Sequence, residues 1–196
     1  MFLIASIIIV IILIGLKITA NLPDIAEKQK KLNSEYETEF FLNVIDEIDE
    51  SAKISVHQTN ISTNIYDFAN FTKDKMDERM LTFNMLFVGI SADQSMTRLN
   101  VTLLNFLNSQ IDAVLTLNGT SDSQNNIKNQ GIWETNFSYT PGNLYVIHIS
   151  YGSNTYNESM VLDTPNRDKY YAFYDIELTG TDTTYKDKFD KSYNLN

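Results

Sequence analysis

Met1-Phe2-Leu3-Ile4-Ala5-Ser6-Ile7-Ile8-Ile9-Val10-Ile11-Ile12-Leu13-Ile14-Gly15-Leu16 carries no charge and nothing more polar than one serine. Almost everything after Lys17 is acidic, hydrophilic and rich in Asn, Ser and Thr. At ~1.5 Å per residue the stretch makes an apolar helix of roughly 25 Å, slightly short of the ~20 residues that span a bilayer comfortably. Such a helix cannot stay in water. It must be hidden in lipid or against other copies of itself, and that choice governs what the protein does.

Three readings of the stretch follow from its flanks. A secretory signal peptide has an apolar region of this length but also a basic segment ahead of it, and here no Lys or Arg precedes Lys17. Ile18-Thr19-Ala20 is at best a weak cleavage site. A permanent transmembrane anchor is the second reading, although no positive flank ahead of the helix fixes its orientation. The third, and the one favoured, is that residue 1 is a processed N-terminus whose basic leader was removed on the cytoplasmic side.

Composition bounds the remainder. The chain has 196 residues, room for one modest domain, or for a long helix carrying a small one. A formal charge of −10 argues against nucleic acid and against an anionic membrane surface as partners, since both would repel it. With no Cys there are no disulfides, no thiolate chemistry and no Cys-based metal sites.

Six Asn-x-Ser/Thr sequons occur, at Asn60, Asn70, Asn100, Asn118, Asn136 and Asn157, against about three or four expected for a chain this rich in those residues. All lie beyond residue 55, away from the apolar helix, so N-linked glycans on an outward-facing region are expected. Asn118, followed by Gly119 in a predicted hairpin turn, and Asn157, beside Glu158, read as the most accessible. Asn100 and Asn136 fall in predicted strands, where a sugar fits only if the side chain points outward.

The organisation predicted is α+β: a long N-terminal helix, apolar then amphipathic, followed by an antiparallel β-sheet or small β-sandwich head. Residues 1–23 form the apolar membrane or filament-core helix, 24–80 an amphipathic helical stalk and second helix, 81–180 the head, and 181–196 a polar C-terminal tail. Asn21 could cap a new helix, and Pro23 is tolerated in a first turn or as a kink in a continuous one. Tyr36, Phe40, Val44, Ile48 and Ala52 recur at four-residue spacing, flanked by Leu32, Phe41 and Ile45, and predict an apolar stripe. Lys28, Lys30, Glu35, Glu39 and the run Asp46-Glu47-Ile48-Asp49-Glu50 mark the solvated faces. A second helix is expected from about Ile65 to Arg79, with Ile65, Phe68, Met76 and Met80 on one side. Seven strands follow, Thr82–Ile90, Arg98–Leu107, Ile111–Leu117, Trp133–Tyr139, Leu144–Tyr151, Tyr156–Leu162 and Tyr170–Leu178. Ser121–Gln130 and the region from Gly180 onward read as loops or an extended terminus. No helix-length pattern separates the strands, which favours an antiparallel arrangement.

Catalytic constellations are scarce. His57 and His148 are the only histidines and lie far apart in sequence, each reading as a surface or strand residue before a ligand or base. Asp175, Asp182, Asp187 and Asp190 could bind a hard cation in principle, but the EF-hand spacing with its glycine and terminal Glu is missing. Trp133 and the Tyr- and Phe-rich strands read first as core. The expectation is a protein that is not an enzyme and carries no cofactor besides glycans.

The layout resembles the mature subunits of archaeal type IV pilus-like filaments. The likeness rests on the uncharged Met1–Leu16, the break residues Gly15 and Pro23, the continuing helix and a β-rich, sequon-carrying head. It covers about the first 50 residues in pattern and the rest in general type. Bacterial members of that superfamily usually carry a Glu at the fifth mature position, where this chain has Ala5, while archaeal members often lack it. The resemblance implies a leader cleaved by a membrane peptidase and a subunit that waits in the membrane. It then joins a helical homopolymer, an extracellular filament at the cell surface, used for adhesion. Phe2, Ile4, Ile7, Ile8, Ile11, Ile12 and Leu16 would pack the filament core. The alternative expectation is a single-span membrane-anchored surface glycoprotein, or a pilin-like component of a secretion apparatus that forms no filament.

Overall fold

A computed structural model describes the backbone of residues 2–55, 61–152 and 156–195, and their side chains from residue 26 onward save Tyr156. Within it the chain is α+β, with two helices and two antiparallel sheets. Helix α1 runs Phe2–Ser55 without interruption through Asn21 and Pro23, and α2 runs Ile61–Glu78. Nine strands follow: β1 Thr82–Ala92, β2 Arg98–Asn105, β3 Ile111–Leu117, β4 Thr120–Ile127, β5 Gly131–Ser138, β6 Tyr145–Tyr151, β7 Tyr156–Leu162, β8 Lys169–Thr179 and β9 Thr184–Asn194. One sheet has the order β5-β2-β1-β8-β9 and the other β4-β3-β6-β7, with every neighbouring pair antiparallel.

The layers follow from the period-2 alternation of the strands. Leu86, Val88 and Ile90 of β1 point to one side and join Leu99 and Leu103 of β2 with Leu115, Ile147 and Ile149 of the smaller sheet, which makes the interior of a sandwich. Phe83, Met85 and Phe87 point to the other side, where Tyr174, Ile176 and Leu178 of β8 meet the two helices. The five-stranded sheet is therefore covered on both faces at its β1–β8 centre, with the helix-side face bare toward β5, and the four-stranded sheet is covered on one. Trp133 lies in the sandwich interior, 8% exposed, as core rather than as a ligand platform.

Helix α1 enters this arrangement by one stripe, though not quite the expected one. The buried set is Glu37, Phe41, Val44, Ile48, Asp49, Ala52 and Ser55. A strict four-residue repeat gains about 40° per step on a helix of 3.6 residues per turn, so it rotates off the contact face at its N-terminal end. Accordingly Tyr36 and Leu32 are 61% and 66% exposed, Phe40 and Ile45 are half-buried, and Phe41 is fully buried. Asp49, read with the solvated acidic run, is turned inward, whereas Asp46, Glu47 and Glu50 are exposed as expected.

Helix α2 buries Ile65, Ala69, Thr72 and Met76. It ends in a Schellman turn, with Leu81 N–H donating to the Met76 carbonyl (2.9 Å) and Met80 N–H to that of Asp77 (3.0 Å). Met80 occupies the left-handed position of that turn (φ 58°), which points it into solvent at 93% exposure instead of onto the core side where the periodicity had it.

Both segments read as loops contain strands. β4 is exposed at every position but Ile127, so neither face supplies an apolar alternation to read. It forms because Asn118 (φ 50°) and Gly119 (φ 78°) make the tight left-handed turn that folds it back on β3. β9, expected as polar tail, pairs with β8 over its whole length and places Tyr185, Phe189 and Tyr193 toward the helices. Its intervening charges suit an edge strand.

Candidate assembly and modification surfaces

Two polar attachments fix α1 to the last hairpin. The Glu37 carboxylate, 8% exposed, accepts from the N–H groups of Thr181 (3.0 Å) and Asp182 (3.3 Å) at the β8–β9 turn. A side chain at Gly180 would collide with it, since a Cβ there would meet Glu37 Oε2 at 2.2 Å. Thr183 Oγ1 donates to Ser34 Oγ (3.0 Å), and Lys30 lies 3.6 Å from Asp182. The second attachment centres on Asp49, which accepts from the Tyr193 hydroxyl (2.8 Å) and pairs with Lys191 (2.7 Å) and Lys53 (3.0 Å). Burial pushes this carboxyl up, but the hydrogen bonds from Lys191, Tyr193 and Lys53 outweigh it and hold it below the ordinary aspartate range. Tyr193 in turn meets the hydroxyl of fully buried Tyr174 (3.1 Å).

N-terminal to Ser34 the helix runs out from the head, with the exposed Lys30 still paired to Asp182. Residues 26–33 are exposed around the whole helix. At the exit, Arg79 lies 4.5 Å above the Phe40 ring and donates to the Tyr36 hydroxyl (3.2 Å), which holds the head's base beside the helix. The side chains of Phe2, Ile4, Ile7, Ile8, Ile11, Ile12 and Leu16 lie outside the described residues, as do Asn60 and His57.

Four of the other five sequon asparagines are exposed. Asn118 sits in the β3–β4 turn, Asn157 on edge strand β7, and Asn100 and Asn136 on β2 and β5. The last two face outward and are direct cross-strand partners, a juxtaposition that sequence spacing did not reveal. Asn70 departs from the pattern. It is half-buried on α2, its Oδ1 accepts from Gln130 Nε2 (2.9 Å), and Thr72 of its sequon is 5% exposed.

The acidic residues considered as cation ligands are dispersed. Asp175 takes the Tyr151 hydroxyl and Lys188 (3.3 Å), Asp182 faces Lys30, Asp187 accepts from Tyr185 (3.2 Å), and Asp190 stands opposite Phe173. Among the described residues no group of three or more His, Asp or Glu converges as a metal site. Lys188 also pairs with Glu158 (2.8 Å), so the cluster ties β9 to β7 across one open edge of the sandwich. Sequence reasoning also missed Asn105. Fully buried, it donates to the carbonyls of Ser109, Ile127 and Lys128 and accepts from Leu107 N–H, joining two turns.

The outer face of the four-stranded sheet has a different character. Its rows across the strands are Val114, Ser150 and Asn157, then Thr116, His148 and Ser159, then Val146 and Val161. On β4, Ser123 and Ser121 extend the first two rows. None of these is Asp, Glu, Lys or Arg. Asp112 stands at the end of β3, its carboxylate taken by the Asn126 N–H (2.8 Å). Glu158 points to the opposite side, toward Lys188.

No protein-family model matches this chain, and no curated protein matches it. Among the described residues no helix is long and apolar enough to cross a membrane, a statement that does not reach Met1–Leu16.

Proposed function

We propose that this chain is the structural subunit of an extracellular type IV pilus-like filament, polymerised through its N-terminal apolar segment, with a sequon-bearing sandwich head outside. The observation that carries this reading is the division of α1. Its C-terminal part is seated on the sheet by Phe41, Val44, Ile48 and Ala52, while residues 26–33 are exposed all round and lead toward a segment of sixteen residues without a charge. Water-excluded packing of Ile, Val and Leu from many copies, at ~25 cal/mol per Å² of apolar surface removed from water, favours assembly strongly. The head would then present Asn100, Asn118, Asn136 and Asn157 to the outside as glycan acceptors, with adhesion as the use.

Ile8→Asp tests this reading, because an unpaired charge in a dry helical bundle costs several kcal/mol per copy, in the range of about 2–7 for buried polar groups and more for charges. Filaments seen by negative stain should vanish while the circular dichroism of head strands and helix persists. Normal filaments from Ile8→Asp overturn the core assignment. A native protein that stays monomeric in membranes favours the single-span alternative. Glycopeptide mass spectrometry of native material should find sugar at exposed sequons, Asn118 first, and none at Asn70.

A further inference from the structure

We infer that Asn100 and Asn136 form a single modification site, which takes one N-linked glycan, on Asn136, and is then closed to a second. The inference rests on the reading of the exposed sequons as acceptors, and it does not require a filament. Each asparagine opens its own sequon, far from the other in sequence. The β2–β5 register makes them direct partners, and both are exposed. Direct cross-strand partners have Cβ atoms ~4.5–5.5 Å apart. A sugar ring with its substituents fills that spacing, so two rings leaving the sheet side by side collide unless one leans away.

What stands on either side determines which one has room to lean. The row across the helix-side face runs Tyr170, Ser91, Asn100, Asn136, from β8 to the edge strand β5. The first turn of α2, Ile61 to Thr63, shares with Asn100, Ser91 and Tyr170 a hollow of about 240 Å³. A second hollow, of about 310 Å³, lies over Asn100 and Asn136. Thr102 and Glu134 line both, so the two make one groove, ended by α2 on one side and open at the sheet edge on the other. A glycan on Asn136 leaves over that edge. One on Asn100 starts beside α2 and has to leave across Asn136. In the attachment, the asparagine amide nitrogen attacks the anomeric carbon of an activated glycosyl phosphate. The N–C bond forms as the C–O bond to phosphate breaks, the phosphate departs with the electron pair, and the amide gives up one proton. The donor and its carrier must therefore reach the nitrogen itself, and a glycan on Asn136 occupies the approach to Asn100. This exclusion belongs to the folded head, with β2 and β5 paired, so it also places folding before modification.

The test is the mass of full-length protein made in its native source with Asn60→Gln, Asn70→Gln, Asn118→Gln and Asn157→Gln, which leaves only the pair. Intact chains should carry at most one glycan, and glycopeptide mapping should place it on Asn136 in a several-fold majority. Adding Asn136→Gln should raise occupancy at Asn100 several-fold, while Asn100→Gln should leave Asn136 as it was. Where the four glutamines lower the melting temperature, these last two substitutions, made singly in the wild-type chain, carry the test. Chains with a glycan on both asparagines, a majority on Asn100, or an Asn100 occupancy that ignores Asn136→Gln each overturn the inference. So does a pair left unmodified in wild-type protein whose Asn118 or Asn157 carries sugar, a result that spares the acceptor reading. Sugar absent from all six sequons sinks the acceptor reading, and this inference with it.

Discussion

The two parts of α1 differ in what holds them. From Glu37 to Ala52 the helix has a partner for each inward position: core side chains for Phe41, Val44, Ile48 and Ala52, backbone donors for Glu37, and a tyrosine and two lysines for Asp49. From Ala26 to Asn33 it is regular helix with Leu32 exposed and only ion pairs of exposed lysines, such as Lys31–Glu35 at 4.0 Å. Isolated helices are marginal in water, so a stretch exposed all round is held by little besides its own backbone bonds. One continuous element is thus packed on its own head at one end and bare at the other.

Phe41→Ala should produce the largest effect. It removes a fully buried ring from the helix–sheet interface and should destabilise the head by ~3–5 kcal/mol, read as a lowered urea midpoint. A loss below ~1 kcal/mol would mean that the docked part is no better held than the free part.

Asp49→Ala should cost ~1–3 kcal/mol, because Tyr193 loses its buried acceptor. The effect should depend on pH in a defined sense. The folded carboxyl titrates below its unfolded value, so its contribution is complete above about pH 4 and fades as acid takes the solution through and below the folded pKa. Wild type and Asp49→Ala should accordingly converge in acid, and parallel stability curves down to pH 2 would contradict the pairing.

Gly180→Ala should come next, at ~1–3 kcal/mol, by forcing the Glu37 carboxylate off the β8–β9 turn. Hydrogen exchange at the Thr181 and Asp182 amides should rise with it, and unchanged exchange there would exclude Glu37 as their acceptor. Smallest of all, Leu32→Ser should change head stability by no more than ~0.5 kcal/mol. If assembly proceeds through the leading part of the helix, filament yield should nonetheless fall. A clear drop in head stability would instead erase the contrast between the two parts.

Legibility in the sequence followed burial. The seven strands with apolar alternation were readable within a residue or two, Ile111–Leu117 and Tyr156–Leu162 to the residue. β4 was not, since Thr-Ser-Asp-Ser-Gln-Asn-Asn contains no apolar side chain and its cause lies in the preceding Asn118-Gly119 turn. β9 did leave a trace, because Tyr185, Phe189 and Tyr193 repeat every fourth residue, two strand periods, between charges. Glu37, Asp49 and Asn105 were illegible for a different reason. A carboxylate or amide in sequence reads as solvent-facing, and only the partners brought from β9 and the turns reverse that. The sequon positions were readable as a motif, but the pairing of Asn100 with Asn136 needed the β2–β5 register, which no local signal supplies.

The Glu37 and Asp49 attachments join residues 144 apart in the chain, from the first helix to the last hairpin. A ribosome releases the chain from its N-terminus, so α1 is made long before Thr181, Lys191 or Tyr193 exists to receive it. Its apolar seat on α2 and β1 is made soon after it, but the donors that satisfy Glu37 and Asp49 come last. Until the β8–β9 hairpin has emerged, a carboxylate at each of these positions stands against an apolar seat with these partners still unmade. The two attachments therefore close the fold from its far end, and a chain that stops at the end of β8 leaves Glu37 unanswered and Asp49 with Lys53 alone.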